Sequence, residues 1–110
     1  MSAESPDLFA AHGSPGQPTV GVVIATHNRP QQVRAAITSV LDQDYEGAVE
    51  VVVVFDQSEP DLTLEFIAPG RTVRVVRNVR TPGLAGARNT GIETLQCCYV
   101  AFCDDDDVWL

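Results

Sequence analysis

The chain has 110 residues, enough for one compact domain and too few for two. Fifteen acidic residues against seven basic ones give a formal net charge of -8, which excludes nucleic acid or an anionic membrane surface as the main partner. All basic residues are Arg, so the Walker-type phosphate loop and Schiff-base chemistry, which need Lys, are excluded as well.

Residues 1–18 mix Ser, Pro, Gly, Ala and acids without periodicity and predict a mobile tail, leaving residues 19–110 as the folded unit. Residues 20–25 (VGVVIA) form a β-branched strand ended by the polar Thr26-His27-Asn28. Asn28 is placed to cap a helix opened by Pro30, with Val33, Ala36, Ile37, Val40 and Leu41 on one face. Residues 50–55 (EVVVVF) are apolar on both faces, as in parallel strands covered by helices on both sides. A short helix is expected over residues 60–67, broken by Pro69-Gly70, then an edge-like strand over 72–76. Pro82-Gly83 opens a helix to about Gln96, and residues 97–103 form a fourth strand that looks buried. The order β-α-β-α-β-α-β predicts an α/β fold with an open, mostly parallel sheet of about four strands. Cys97, Cys98 and Cys103 match no zinc spacing; an odd count without a secretory signal predicts reduced packing thiols and a cytoplasmic setting. The longest apolar run, residues 51–55, is far too short for a transmembrane helix.

In such sheets ligands bind beyond the carboxyl ends of the strands. Those ends carry Thr26-His27-Asn28, Asp56-Gln57-Ser58 and the run Asp104-Asp105-Asp106-Asp107. Strand alternation would turn Asp104 and Asp106 to one side, where hard oxygen ligands suit Mg²⁺ or Mn²⁺. Four adjacent carboxylates repel one another, and a cation relieves that cost. Asp56 stands where doubly wound domains place a nucleotide-reading acid, and it is equally placed to cap a helix. The first turn has no G-x-G-x-x-G, which argues against a dinucleotide cofactor. Gly86 and Gly91 read as close helix–sheet packing. Arg88, on the same helix, is open to two roles, facing a ligand or pairing with an acid.

With these residues in view, the chain resembles family 2 glycosyltransferases of the GT-A fold, over residues 19–110. Residues 22–30 resemble the family's opening V-V-I-P-T-Y-N-R, and residues 54–58 its V-D-D-G-S element, with Asp56 at the second acid. Residues 83–91 are similar to G-x-x-x-A-R-N-x-G, and residues 102–109 to F-L-D-x-D-D-x-W, which holds the D-x-D metal motif. The resemblance implies a Rossmann-like N-terminal half with strand order 3-2-1-4, cut after the D-x-D motif. It implies that Ala25, Thr26, His27 and Asp56 line the base pocket of a nucleotide-sugar donor and that Asp105 faces the ribose; because a carboxylate only accepts, Asp56 would favour UDP, with GDP or dTDP as alternatives, over CDP. Asp106, supported by Asp104, would hold Mn²⁺ or Mg²⁺, and an acceptor hydroxyl on a glycan, lipid or small molecule would attack with inversion. The family's catalytic base is expected beyond Leu110, so the 110 residues are expected to be inactive alone, and Trp109 to lack cover. Peripheral membrane attachment of a full-length protein is compatible with this picture. His27 in place of Tyr, Phe55 in place of the first acid and Gln57 in place of Gly set this base pocket apart.

A phosphoryl-accepting receiver domain would need an acid pair after the first strand and a late Lys, and a sugar-nucleotide pyrophosphorylase a Gly-rich loop after the first strand. The chain has none of these. The alternative with most standing is a non-catalytic or degenerate fragment that binds nucleotide and cation without turnover.

Overall fold

The computed structural model describes residues 17–97 and 99–110. The expected tail over residues 1–18 lies outside them except for its last two positions, and Cys98 lies outside them too. The elements are β1 (Val20–Thr26), α1 (Pro30–Leu41), β2 (Val49–Phe55), a 3-10 turn (Leu62–Leu64), β3 (Phe66–Ala68), β4 (Arg71–Arg77), α2 (Leu84–Thr94) and β5 (Tyr99–Phe102). They build one five-stranded sheet in the order β3-β4-β2-β1-β5. All neighbours are parallel except β3 and β4. Setting β3 aside, this is the 3-2-1-4 order that the family resemblance implied.

The β-branched runs explain the two-sided core. Val22, Ile24, Val51, Val53, Val73 and Val75 face α1 with Val33, Ala36, Ile37 and Val40. Val23, Val52 and Val54 turn to the other side, toward Ala87 of α2 and Leu95. Residues two apart share a face, so one valine-rich strand supplies both layers. Gly91 lets α2 close on β1: a Cβ there would stand 2.5 Å from a methyl of Val23. Arg71, at the start of β4, donates to the carbonyls of Leu41, Gln43, Tyr45, Gly47 and Gly70, tying the α1–β2 connection to the sheet.

Four local expectations change. The segment expected as a helix over residues 60–67 holds only the 3-10 turn, followed by β3 on the sheet edge. The reason is the turn Ala68-Pro69-Gly70-Arg71, with Gly70 at φ 74. Pro followed by a left-handed Gly is the type II pattern, and it folds residues 66–68 back antiparallel on β4. β4 is therefore an inner strand, with β3 covering it. Asn28 does not cap α1: Arg29 is the N-cap residue, without a side-chain cap, and Asn28 sits at φ 56. The fourth strand stands at the opposite edge, as the 3-2-1-4 order implies, but it is shorter than expected and not buried: Tyr99, Val100 and Phe102 are exposed, and only Cys103 of the described cysteines is buried. Trp109 is half-buried against the α1 side of the core, its backbone N–H donating to Ser39 Oγ at 3.0 Å. No helix among the described residues is long and apolar enough to cross a membrane.

Candidate functional site

A cleft of about 210 Å³ opens at the carboxyl ends of β1 and β2, lined by Ala25, Thr26, His27, Arg29, Asp56 and Asp105. The first turn of α2 closes it with Leu84 and Ala87. Ala25, Thr26, His27, Asp56 and Asp105, expected around a nucleotide sugar, thus come together, whereas Arg88, the sixth candidate, does not line the cleft. Pockets that enclose a whole small molecule run to roughly 300–1,000 Å³, so this cleft takes part of a ligand and leaves the rest over its rim.

Asp56 is the anchor of the cleft. It is 7% exposed, and its Oδ1 accepts from Asn78 Nδ2 at 2.9 Å. Its Oδ2 accepts from the backbone N–H of Gly83 at 3.0 Å and from Gln57 Nε2 at 3.1 Å. These bonds, that from Asn78 foremost, outweigh the cost of burial and hold the carboxyl below its ordinary 3.8. Asp56 starts no helix. Its link to the N-cap residue of α2 instead ties the end of β2 to the loop before that helix. Asn78, which sequence reasoning missed, is fully engaged. Beyond Asp56 it donates to the Thr81 carbonyl at 3.0 Å, and its oxygen accepts from Arg80 N at 2.9 Å and Thr90 Oγ at 2.8 Å. Its one sequence signal was its position directly after a strand, at the sheet's ligand-binding edge.

His27 lies against the Asp56 backbone: Nδ1 is 2.7 Å from the Asp56 carbonyl. A carbonyl only accepts, so Nδ1 carries the hydrogen and donates it to Asp56. The two described non-glycine residues with positive φ, Asn28 and Gln57, both at φ 56, flank this cleft immediately after β1 and β2. Strained backbone of this kind gathers at functional sites.

The acidic run leaves β5 in a turn, closed by the bond from Asp107 N to the Asp104 carbonyl at 3.1 Å. Carboxylate oxygens of Asp104, Asp106 and Asp107 lie within 4.8 Å of one another. Asp104 and Asp106 do converge, through the turn rather than through strand alternation, and the turn adds Asp107. Three hard oxygen donors this close fit Mn²⁺ or Mg²⁺. Asp105, with a side chain 13% exposed, points instead into the cleft. Arg29 spans the two features, lining the cleft and donating from Nη1 to Asp106 Oδ2 at 2.7 Å. Of the two roles open to Arg88, acid pairing is the one seen: Nη2 stands 3.4 Å from Asp104 Oδ1, and the guanidinium lies 4.9 Å over the Phe102 ring. Burial, reinforced by the four carboxylates, pushes the Cys103 thiol up to about 11, which leaves it an inert packing group.

The glycosyl transferase family 2 model matches residues 21–110, and the chain belongs to that family. Among curated relatives, the UDP-Glc:alpha-D-GlcNAc-diphosphoundecaprenol beta-1,3-glucosyltransferase WfaP of Escherichia coli is 32% identical over 93 residues, covering 83% of this chain and 36% of that protein. The succinoglycan biosynthesis protein ExoO of Rhizobium meliloti is 37% identical over 92 residues, covering 82% of this chain and 26% of that protein. The chain thus spans about a third or less of these relatives' lengths. Among solved structures, the mannosyltransferase PcManGT from Pyrobaculum calidifontis, in complex with GDP-Man and Mn²⁺, superposes with a TM-score of 0.68 at 25% identity. The match covers 86% of this chain and 29% of that one. The GT-A expectation for the fold is therefore met.

Proposed function

We propose that this chain binds the nucleotide diphosphate of a sugar donor, with UDP favoured, and that the whole protein transfers the sugar to an acceptor hydroxyl with inversion. The observation that carries this reading is the junction of cleft and acidic turn through Asp105 and Arg29. A base fits the cleft, and a diphosphate leaving it meets the rim where Asp104, Asp106 and Asp107 would hold a divalent cation. Bound there, Mn²⁺ or Mg²⁺ supplies charge neutralisation for the diphosphate leaving group. The named relative that uses UDP-Glc is in keeping with UDP, and the solved neighbour in complex with GDP-Man and Mn²⁺ supports a nucleotide-sugar donor with a divalent cation.

The residues of the cleft and its rim have distinct parts in this proposal. Asp56, kept ionised, accepts from an N–H on the pairing edge of the base; uracil N3–H serves, whereas cytosine N3 is itself an acceptor and meets the charge. Ala25, Thr26 and His27 wall the base, and Asp105 faces the ribose. Arg29 offers a fork of donors for a phosphate oxygen or for Asp106. Arg88 acts indirectly, by holding Asp104. No acceptor base is assigned among these residues.

Calorimetric titration of UDP with and without Mn²⁺ tests the reading. Asp106→Asn is expected to abolish the Mn²⁺-dependent part of binding, while Asp44→Asn, an exposed position on the α1–β2 connection, retains it. Equal Mn²⁺ dependence in both variants, or CDP binding more tightly than UDP, would refute it.

A further inference from the structure

We propose that Gln57 determines base specificity, by occupying an acceptor position of Asp56 so that the carboxylate offers one position, not two, to an incoming base. The inference rests on the base-reading role of Asp56 given above. An ionised carboxylate has about four acceptor positions on its two oxygens. Gly83 N and Gln57 Nε2 take two on Oδ2, and Asn78 Nδ2 takes one on Oδ1. One position remains, and it is on Oδ1.

The three donors differ in how firmly they are held. Gly83 N belongs to the backbone at the start of α2. Asn78 is fixed by Thr81, Arg80 and Thr90, the last of these 4% exposed. Gln57 is an exposed side chain whose amide bonds to Asp56, and its backbone sits in the left-handed region at φ 56. That conformation suits Gly at no steric cost and strains Gln. A strained residue whose amide caps the buried acid beside it is placed to set what that acid can still accept.

The consequence separates bases by donor count. Uracil presents a single N–H, N3–H, on its pairing edge, and one free position on Oδ1 satisfies it. Guanine presents N1–H and the 2-amino group side by side, a pair that fits a carboxylate by using both oxygens. With Gln57 on Oδ2, the second guanine donor meets an oxygen already holding two bonds and is left without a partner in a confined site. The wild-type chain therefore favours a base with one donor.

Inosine diphosphate isolates this effect, because hypoxanthine keeps N1–H and lacks the 2-amino group. UDP, IDP and GDP are titrated calorimetrically, with Mn²⁺, into the wild-type chain, Gln57→Gly and Asp56→Asn. In the wild type, UDP binds most tightly and GDP no more tightly than IDP. In Gln57→Gly, with Oδ2 uncovered and the backbone relaxed, GDP gains about tenfold over IDP, the worth of one hydrogen bond to a charged acceptor. A GDP-to-IDP ratio unchanged between wild type and Gln57→Gly, alongside a loss of UDP affinity in Asp56→Asn, overturns the Gln57 inference and leaves the base-reading role standing. Equal behaviour of Asp56→Asn and wild type toward all three nucleotides, at any level of binding, overturns both. Thermal unfolding of Gln57→Gly at or above the wild-type midpoint confirms that the comparison concerns a folded chain.

Discussion

Gly86→Ala sets helix propensity against packing at the site, and the structure decides which wins. Gly86 lies inside α2, where Ala is favoured over Gly by about 1 kcal/mol. A Cβ at this position, however, would stand 1.9 Å from the Thr81 carbonyl oxygen and 2.9 Å from its carbon. Reaching ordinary contact near 3.4 Å requires a retreat of about 1.5 Å by one backbone or the other. Thr81 cannot move alone, because its carbonyl accepts from Asn78, and Asn78 together with Gly83 N holds Asp56. Overpacking typically costs about 1–3 kcal/mol. Losing a neutral hydrogen bond adds about 1 kcal/mol. Set against the propensity gain, the net destabilisation is about 1–3 kcal/mol, and each kcal/mol lowers Tm by roughly 4–8 °C in a small domain. Urea and thermal denaturation read this loss, with UDP calorimetry alongside. Gly91→Ala is the matched control. The three atoms nearest its Cβ all belong to the Val23 side chain and none to the loop that holds Asp56, so it lowers stability and should spare nucleotide affinity more than Gly86→Ala does. A Gly86→Ala variant as stable as wild type would refute the packing account and the coupling of this loop to Asp56.

Two further outcomes are expected. Because the Asp56 carboxyl lies below its ordinary 3.8, its contribution is complete above that value and is lost as pH falls through the lower folded value. The gap in urea midpoint between wild type and Asp56→Asn should therefore be constant above about pH 5 and close in stronger acid; a gap that widens on acidification contradicts the assignment. Arg29→Gln removes the guanidinium that competes for Asp106, and Mn²⁺ affinity measured by electron paramagnetic resonance should rise, by up to about fivefold if the pair is worth the 0.2–1 kcal/mol typical of exposed ion pairs. Weaker Mn²⁺ binding in that variant would mean that Arg29 supports the acidic turn instead of competing at it.

The sequence alone determined the layered α/β plan and the edge at which the chemistry gathers. Valine runs apolar on both faces require cover on both sides, helical periodicity between them supplies it, and the polar residues at the strand ends then fall together on one edge. That placed Thr26, His27, Asp56 and Asp105 around one cleft, because each sits within a residue or a short turn of a strand end. Tertiary structure decided the rest. Residues 66–68 became a strand because the Pro69-Gly70 turn brings them beside β4, and no periodicity within three residues distinguishes strand from helix. Asp107 joined Asp104 and Asp106 through a turn closing after β5, where strand alternation no longer applies. The bond from Asn78 to Asp56 spans 22 residues, that from Gly83 27 and that from Arg29 to Asp106 77. Local pattern reports which face of an element is buried. Which side chains meet beyond the strand ends depends on how separate crossovers close over the sheet, and only the assembled chain sets that.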